Sequence, residues 1–214
     1  RMNAYCSVPR QGPDGRFHMV WVWRDTPDCA SNHDLSYARS DDLVRWTDSA
    51  GRPLALPIAV ETGEIIDRVP PGGGLLNVNR ELGFDNAGNM VICNFGDAQL
   101  IQGKMGADGK VVSQKVVAEG QGMMSCDGLS VDRKTGHVYI ADFLGNALHR
   151  VDLATGKVTT IAKNPNTDGA DGSLDRPSEP CVRDGKVYVS NIDLPLAGNT
   201  YDKPHTLSVV KVGQ

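Results

Sequence analysis

A short motif recurs along this chain: a turn containing Asp and Gly, then an apolar strand, then a polar residue. Its four copies are "PDGRFHMVWVWRD" (13–25), "DNAGNMVICNFGD" (85–97), "DRKTGHVYIADFLGN" (132–146) and "RDGKVYVSNID" (183–193). Equivalent positions in the last three copies, Asn89, His137 and Lys186, are 48 and 49 residues apart. A period of roughly 40 to 50 residues carrying about four short strands is typical of the blades of a β-propeller.

A second element recurs in step with the first, namely two strands joined by a D-G or T-G turn, at 106–120 and 153–164. Glycine and proline separate short runs rich in Val, Ile, Tyr, Trp and Phe, and long helical periodicity is absent, which indicates an all-β fold. We therefore predict a β-propeller-like fold of about four blades, each with four short antiparallel strands. Because most propellers have more blades, a compact ring and a fragment of a larger ring both stay open.

The first interval of the repeat is longer than the others, since Arg16 and Asn89 are 73 residues apart. We expect one continuous propeller domain, in which residues 1–80 form a first blade with a connecting loop and residues 81–214 form the remaining blades. The loop "NPNTDGADGSLDRP" (164–177) resembles a calcium-binding loop in its spacing, but it lacks the terminal glutamate and flanking helices. We interpret it as a connection between blades.

The composition argues against nucleic acid and a membrane-spanning helix, and the cysteine spacing does not predict a set of disulfide bonds. The net charge is −4 without a basic stripe, so nucleic acid is not an expected partner. The apolar runs are far too short to cross a bilayer as a helix. The cysteines are widely spaced and form no C-x-x-C pair. Cys93 and Cys181 lie in apolar runs, so we predict that both are buried thiols.

Residues 13 to about 85 resemble BNR-repeat-like propellers, a group that includes ulvan-type polysaccharide lyases. The resemblance rests on "GRFHMVWVWRDTPDCASNHDLSYARSDDLVRW", "PLALPI" and "VPPGGGLLNVNRELGFD". In such lyases two histidines act with a tyrosine and an arginine from a later blade, and the histidines correspond here to His18 and His33. The stretch expected to supply the other two, "VICNFGDAQLIQGK", contains neither residue type.

The residue types in this first segment suit eliminative chemistry on an acidic sugar. A lyase needs a base for the proton beside the uronate carboxylate and an acid for the leaving oxygen, and neutral histidine suits the first role. His18 and His33 lie on neighbouring strands, and an antiparallel pairing would bring them close together. Arg24 or Arg39 would pair with the substrate carboxylate.

Residues from about 81 to 214 resemble a second propeller group, that of senescence marker protein (SMP-30), gluconolactonase and NHL-repeat proteins. The resemblance rests on "CDGLSVDRKTGHVYIADFLGNALHRVDLATGKV" and "RPSEPCVRDGKVYVSN". In the lactonases a divalent cation lies on the axis, held by acidic residues and Asn before the innermost strands. The resemblance assigns Asp127 and Glu179 to that role, and Glu81 is a weak counterpart of the first ligand.

The same metal site follows from the positions of the polar residues. Two converging carboxylates repel each other unless a cation or a proton intervenes, and calcium accepts six to eight oxygen ligands. Asn94, Asp142 and Asn191 end the apolar strand in three successive repeats and complete the predicted ligand set. We expect calcium as the most suitable divalent cation.

Three functions are consistent with these patterns. The first is a divalent-metal-dependent hydrolase of the gluconolactonase type, acting on a small lactone. The second is a polysaccharide lyase that uses His18, His33 and Arg24 on an acidic glycan. The third is a propeller without catalysis that serves as a binding or assembly module, for which exposed edge strands would favour self-association. The two resemblances favour an extracellular or periplasmic location.

Overall fold

The computed structural model describes residues 3–26, 28–73, 78–107, 111–192 and 205–212. These residues form 17 strands in four antiparallel sheets and one 3-10 turn at Cys29–Ser31. The predicted all-β fold with four propeller-type blades is therefore confirmed. The part of the chain that is described contains no helix long and apolar enough to cross a membrane. The chain divides into two compact units, residues 1–82 and 83–214.

The first unit contains one sheet of six strands. They are β1 (Asn3–Cys6), β2 (Arg10–Gln11), β3 (Phe17–Arg24), β4 (Asn32–Ser40), β5 (Trp46–Thr47) and β6 (Glu64–Asp67). The main order is β1-β3-β4-β5, while β2 also pairs with β3 and β6 also pairs with β4. The blade thus has two strands beyond the predicted four, because β3 and β4 are long enough to pair with two short strands along one edge.

Alternation along β3 places Trp21 and Trp23 on one face of this sheet and His18, Val20 and Val22 on the other. Trp21 and Trp23 are almost fully buried and meet edge to face, with their ring centroids 6.2 Å apart. Ala38 of β4 belongs to the same core cluster, and the indole N–H of Trp23 donates to Ser36 Oγ at 3.0 Å. The opposite face of β3 carries His18, because successive side chains of a strand point to opposite sides.

The second unit contains the other three sheets, and β7 crosses the boundary between the units. The first of them has the order β10-β9-β8-β7, formed by β7 (Val78–Phe84), β8 (Met90–Asn94), β9 (Gln99–Met105) and β10 (Val111–Glu119). The next has the order β11-β12-β13-β14, formed by β11 (Leu129–Val131), β12 (Val138–Asp142), β13 (Ala147–Val151) and β14 (Val158–Lys163). The last has the order β15-β16-β17, formed by β15 (Pro177–Arg183), β16 (Lys186–Asn191) and β17 (Leu207–Lys211).

The recurring turns close these hairpins through aspartate side chains. Asp132 Oδ1 accepts the N–H of Lys134 at 2.9 Å before β12, and Asp152 Oδ1 accepts the N–H of Ala154 at 2.8 Å before β14. Both turns end at a glycine with positive φ, 76° at Gly136. Side chains with a Cβ rarely adopt this conformation, which explains why glycine recurs in the repeat.

Neighbouring sheets of the second unit bury their apolar faces against each other. Core residues from β8, β9, β11 and β12 form one cluster, which includes Val91, Leu100, Leu129 and Ile140. A second cluster joins Tyr139 and Leu148 to Val187 and Val189 of β16, together with Leu174. Each blade is too thin to have a core of its own, so its stability depends on stacking with the next.

The two cysteines predicted to be buried differ in their exposure. Cys93 is fully buried, which confirms the prediction, whereas Cys181 is exposed, so its prediction was wrong. Cys181 follows the buried Pro180 directly in β15 and therefore points to the opposite face of the strand.

Candidate active site

A chain of three hydrogen-bonded side chains lies on the face of the first unit's sheet that is opposite to Trp21 and Trp23. His18 on β3 has its Nδ1 2.6 Å from the phenol oxygen of Tyr37 on β4, and its Nε2 2.9 Å from Asp14 Oδ1. The strand register explains the first contact, since Tyr37 pairs with Val20 and stands diagonal to His18. Asp14 belongs to the turn that leads into β3, four residues before the imidazole.

The protonation states along this chain follow from its chemistry. Burial raises the pKa of Tyr37 to about 12, although the nearby Arg39 charge opposes that rise. Burial alone would raise the pKa of Asp14, but hydrogen bonds from His18 and from the Arg16 N–H hold it below its ordinary value. Asp14 is therefore an acceptor, Nε2 of His18 carries its proton, and Nδ1 accepts the phenol proton of Tyr37.

An arginine without an anionic partner stands beside this chain. Arg39 on β4 pairs with His18 across the sheet and is two residues from Tyr37, so its side chain starts on the same face. Within the described residues its guanidinium forms no hydrogen bond or ion pair, and its Nε is buried. Buried charges are normally paired, so this cation is available for an anionic ligand.

The strand register separates the two histidines that were expected to meet. His33 pairs with Trp23, five residues along β3 from His18, which corresponds to about 17 Å along the strand. An irregularity at Asp34, whose φ is 49°, also shifts the register between Val22 and Trp23. A one-residue bulge exchanges the faces of a strand, so His33 shares the face of Trp23 rather than that of His18.

His33 and Arg24 both have structural partners in the first unit. The imidazole of His33 lies between two carboxylates, 3.2 Å from Asp34 Oδ2 and 3.5 Å from Asp25 Oδ1. Arg24 Nε donates to Asn32 Oδ1 at 2.8 Å, and the guanidinium carbon lies 3.9 Å from the centre of the Tyr5 ring. These contacts lie where β3 ends and β4 begins, and they hold the two strands together there.

Two of the five predicted metal ligands use their oxygens within the protein. Asp142, fully buried, accepts the N–H groups of Met124, Ser125 and Gly145 and lies 3.1 Å from His149 Nε2. Burial alone would raise the pKa of Asp142, but these hydrogen bonds, that of His149 foremost, hold it below its ordinary value.

Asn191 is the second predicted ligand whose polar atoms are occupied. Its Oδ1 accepts the N–H of Asp175 at 3.1 Å, and its Nδ2 donates to Thr206 Oγ1 and Ser208 Oγ, both at 2.9 Å. These contacts connect the loop before β15 to the strand β17. The side-chain oxygens of Asp142 and Asn191 thus accept hydrogen bonds within the second unit.

Two of the other three predicted ligands, Asp127 and Glu179, lie close together in the second unit. The carboxylate of Glu179 packs against Gly128, the residue after Asp127, since an added Cβ there would be 2.6 Å from Glu179 Oε1. Burial raises the pKa of Cys93, the neighbouring Cys126 raises it further, and the charges of Asp127 and Glu179 act in the same direction. Asn94 follows Cys93 directly and has a buried Oδ1 without a hydrogen-bond partner among the described residues.

Asp127 and Glu179 can supply two carboxylates to a hard cation, with water completing the shell. Among the described residues there is no group of three or more His, Cys, Asp or Glu side chains arranged to hold a metal ion. The donors thus fit calcium in type, and Asn94 with its unsatisfied oxygen is the amide that fits best. The side chain of Glu81 lies outside the described residues.

The residues that sequence reasoning missed are Tyr37 and Asp14. Tyr37 was not predicted because the resemblance to the lyases implies a tyrosine from a later blade. The signal was nevertheless present, since "HDLSYARS" alternates and an antiparallel pairing with "FHMVWVW" brings its tyrosine within reach of His18. Asp14 lies in a turn motif that the repeat explains without any functional role.

Comparisons with known proteins agree with both predicted resemblances. Residues 1–99 match the family described as "BNR repeat-containing family member". No protein with a curated description matches the chain.

Three solved structures show a similar fold over most of the chain. A luciferin-regenerating enzyme has a TM-score of 0.62 and 13% identity, covering 99% of this chain and 66% of its own. Regucalcin from Agrobacterium tumefaciens, a calcium-binding protein, has a TM-score of 0.53 and 13% identity, covering 86% and 52%. A gluconolactonase from Xanthomonas campestris has a TM-score of 0.51 and 13% identity, covering 84% and 51%.

The chain therefore spans between half and two thirds of the length of these structures. The similarity confirms a propeller fold of the kind found in gluconolactonases, alongside the BNR-type N-terminal part.

Proposed function

We propose that the first unit carries an acid–base site that cleaves acidic glycans by β-elimination, as a polysaccharide lyase does. The observation that carries the proposal is the chain Asp14–His18–Tyr37 beside Arg39, a cation without a partner in the described residues. Elimination from a uronate needs a cation for the carboxylate, a base for the neighbouring proton and an acid for the leaving oxygen. The cluster supplies all three types of group on one face of one sheet.

Arg39 binds the carboxylate of the uronate in this proposal. A guanidinium pairs with a carboxylate through two parallel hydrogen bonds, which fixes its orientation. The pairing also stabilises the negative charge that develops on the carboxylate as the proton on C5 leaves. Because Arg39 sits across from His18 and two residues from Tyr37, the bound sugar ring lies over the phenol.

Tyr37 exchanges protons with the substrate, and His18 acts as its relay. With a pKa of about 12, the phenol is protonated at neutral pH and yields a strong base once its proton passes to Nδ1 of His18. The phenolate takes the C5 proton, the C4–C5 double bond forms and the C4–O bond breaks. Tyr37 then donates a proton to the leaving glycosidic oxygen and recovers one from His18, while Asp14 stabilises the transient imidazolium.

The test is an assay of purified protein on oligouronates, read by the ultraviolet absorbance of the new conjugated double bond. Tyr37→Phe removes only the hydroxyl and should lower the rate by about 10² to 10⁴-fold, the usual contribution of a general acid–base group. Two histidine variants provide a matched test and control. We expect His18→Gln to be inactive, whereas His33→Gln should remain active, with circular dichroism used to check that it is folded.

Two results would reject the lyase. Cleavage that yields saturated ends would show hydrolysis, and loss of activity in His33→Gln but not in His18→Gln would place the chemistry on the other face. Binding of oligouronates without any cleavage would instead favour the non-catalytic module.

A divalent-metal-dependent hydrolase is the second candidate, favoured by the position of the Glu179 carboxylate against Gly128, the residue after Asp127, in the second unit. Asp127 and Glu179 with the Asn94 amide would hold calcium, which when bound would polarise the carbonyl of a lactone. The similar fold of a gluconolactonase is consistent with this chemistry.

Thermal melts with calcium and with a chelator test this second site. Binding to the native state alone raises the melting temperature by mass action, so calcium should stabilise the wild type but not Asp127→Asn. Asp168→Asn, which removes an exposed loop carboxylate, is the control and should respond like the wild type. Equal melting of the wild type in calcium and chelator would reject this candidate.

A further inference from the structure

A cleft of about 460 Å³ opens in the second unit, away from the residues assigned so far. Its walls come from the turn between β12 and β13, which carries Leu144, and from the loop that follows β14, which carries Asn166. The lining also includes Met124, Lys163 and Arg176. This loop is the connection between blades predicted from the sequence, and it lines a cleft that the sequence did not indicate.

The charges of the cleft have one sign. Lys163 and Arg176 are the charged residues among those described in its lining, and no carboxylate accompanies them there. Arg176 is held in place, since its Nη1 donates to the carbonyls of Phe143 and Leu144, both at 3.2 Å. The amine of Lys163 is exposed and makes no hydrogen bond or ion pair with the described residues. A fixed guanidinium and an exposed lysine in the lining of one cleft favour an oxyanion.

The remaining lining fits the body of a sugar. Met124 and Leu144 are large apolar side chains that stay 57% and 42% exposed, so they offer a surface for the C–H face of a ring. The Oδ1 atom of Asn166 is buried without a hydrogen-bond partner among the described residues. Unsatisfied buried acceptors are rare in folded proteins, and a ligand hydroxyl would satisfy this one after the amide rotates.

We infer that this cleft is a binding site for an acidic sugar, in which Lys163 and Arg176 contact the anionic group and Asn166 accepts a hydroxyl. The inference does not depend on the lyase site, because all of its residues belong to the second unit. A carboxylate, a sulfate and a phosphate share the required chemistry, so the experiment uses glucuronate, glucose 6-sulfate and glucose 6-phosphate, with glucose as the neutral probe.

The site is tested by titrating the sugars into the protein, with isothermal calorimetry and amide chemical shifts as the two measurements. The titrations use the Arg39→Ala variant, which lacks the arginine proposed to bind anions in the first unit. We expect the acidic sugars to bind and glucose to bind at least tenfold more weakly, since a hydrogen bond to a charged group is worth about 1.5 to 3 kcal/mol. Lys163→Met should reduce the affinity for the acidic sugars by about tenfold, and Lys157→Met, an exposed lysine outside the cleft, should not.

The shift changes should cluster at the loop that follows β14 and at Leu144. Asn166→Asp provides a second variant, because an added carboxylate repels the anion without removing a structural contact, and it should weaken binding as well. Equal affinity for glucose and glucuronate, or equal losses in Lys163→Met and Lys157→Met, would overturn the inference. Either result would leave the lyase assay on the Arg39-containing protein unaffected, so the two proposals fail independently.

Discussion

The phenol oxygen of Tyr37 lies 2.6 Å from Nδ1 of His18, and the other ring nitrogen of His18 lies 2.9 Å from Asp14. The ionised carboxylate can only accept a hydrogen bond, so it selects the tautomer of His18 that accepts a proton from Tyr37. The direction of proton transfer is therefore set by a residue in a turn, two side chains away from the phenol.

Asp14→Asn should reverse this tautomer. The new amide can donate to Nε2, which leaves the proton on Nδ1 and prevents His18 from accepting the phenol proton. We expect kcat on oligouronates to fall by tenfold or more, about 1.4 kcal/mol in the activation free energy, with KM little changed. Initial rates over a range of oligouronate concentrations measure both constants.

The control for this prediction is Asp41→Asn, which removes an exposed carboxylate 2.9 Å from Arg16 Nε. That variant should keep the wild-type kcat and KM. An Asp14→Asn protein with normal kcat and a raised KM would show that Asp14 binds substrate rather than positioning the imidazole.

We predict that Arg39 is needed for binding oligouronates but does not stabilise the folded protein. Replacement by Met keeps an unbranched side chain and removes a half-buried charge that has no partner in the described residues. Since an unpaired charge away from water is unfavourable, we expect the free energy of unfolding to stay within about 1 kcal/mol of the wild type or to increase. The same variant should bind oligouronates far more weakly.

Urea unfolding and a binding titration of Arg39→Met check both halves of this prediction. Arg24→Met is the informative comparison, because Arg24 donates to Asn32 and stacks on Tyr5. It should lose stability and keep affinity, the opposite of Arg39→Met. A large loss of stability in Arg39→Met would mean that the arginine has a structural role.

The sequence repeat predicted the fold because its residues determine the local backbone structure of turns and strands. Asp and Gly at fixed places make the turns, as at Asp132 and Gly136, and the apolar run between turns makes a strand that must pack on a neighbour. These requirements are local, so they can be seen in the sequence. The strand register is not local, and the irregularity at Asp34 that turns His33 away from His18 has no distinct sequence signal.

The predicted metal ligands show a second limit of the sequence. Asp142 and Asn191 end their strands in equivalent places, and a polar residue at a strand end has the same appearance whether it faces a ligand or a backbone amide. Only the three-dimensional contacts show that Asp142 accepts neighbouring N–H groups and that Asn191 ties the loop before β15 to β17. Asn94, with an oxygen left over, could not be distinguished from them beforehand.

Asp142 should be a major source of stability that depends on pH. Asp142→Asn would place an amide N–H₂ against the N–H of Met124 at Oδ2 or against that of Gly145 at Oδ1, and it would remove the negative charge beside His149. Breaking a buried pair of this kind costs about 3 to 5 kcal/mol of unfolding free energy. Urea unfolding at neutral pH measures the loss, and Asp184→Asn at an exposed turn is the control.

The pH dependence of this loss has a definite sign. The pKa of Asp142 is lowered on folding, so its contribution is present above the unfolded pKa, near 4, and disappears as the pH falls through the lower folded value. The difference in stability between wild type and Asp142→Asn should therefore shrink below about pH 4. A difference that stays constant or grows on acidification would contradict the role given to the ionised carboxylate.

Gly128 is a position where the backbone itself limits the side chain. A Cβ there would lie 2.6 Å from Glu179 Oε1 and would also clash with the carbonyl of Ser178, to which the Gly128 N–H donates at 2.8 Å. Gly128→Ala must therefore displace β15 or the Glu179 carboxylate, which we expect to cost about 1 to 3 kcal/mol of unfolding free energy.

Gly103→Ala is the matched control, because its nearest neighbour would be Val111 Cγ1 at 3.2 Å, the end of a side chain that can give way. Thermal melts should therefore separate the two variants clearly, and a calcium titration adds a second measurement. If Glu179 and Asp127 hold a cation, Gly128→Ala should lose the calcium-dependent rise in melting temperature, whereas Gly103→Ala should keep it. Equal melting temperatures for the two variants would show that Glu179 is not held against Gly128, and the proximity of the two carboxylates would then lose its main support.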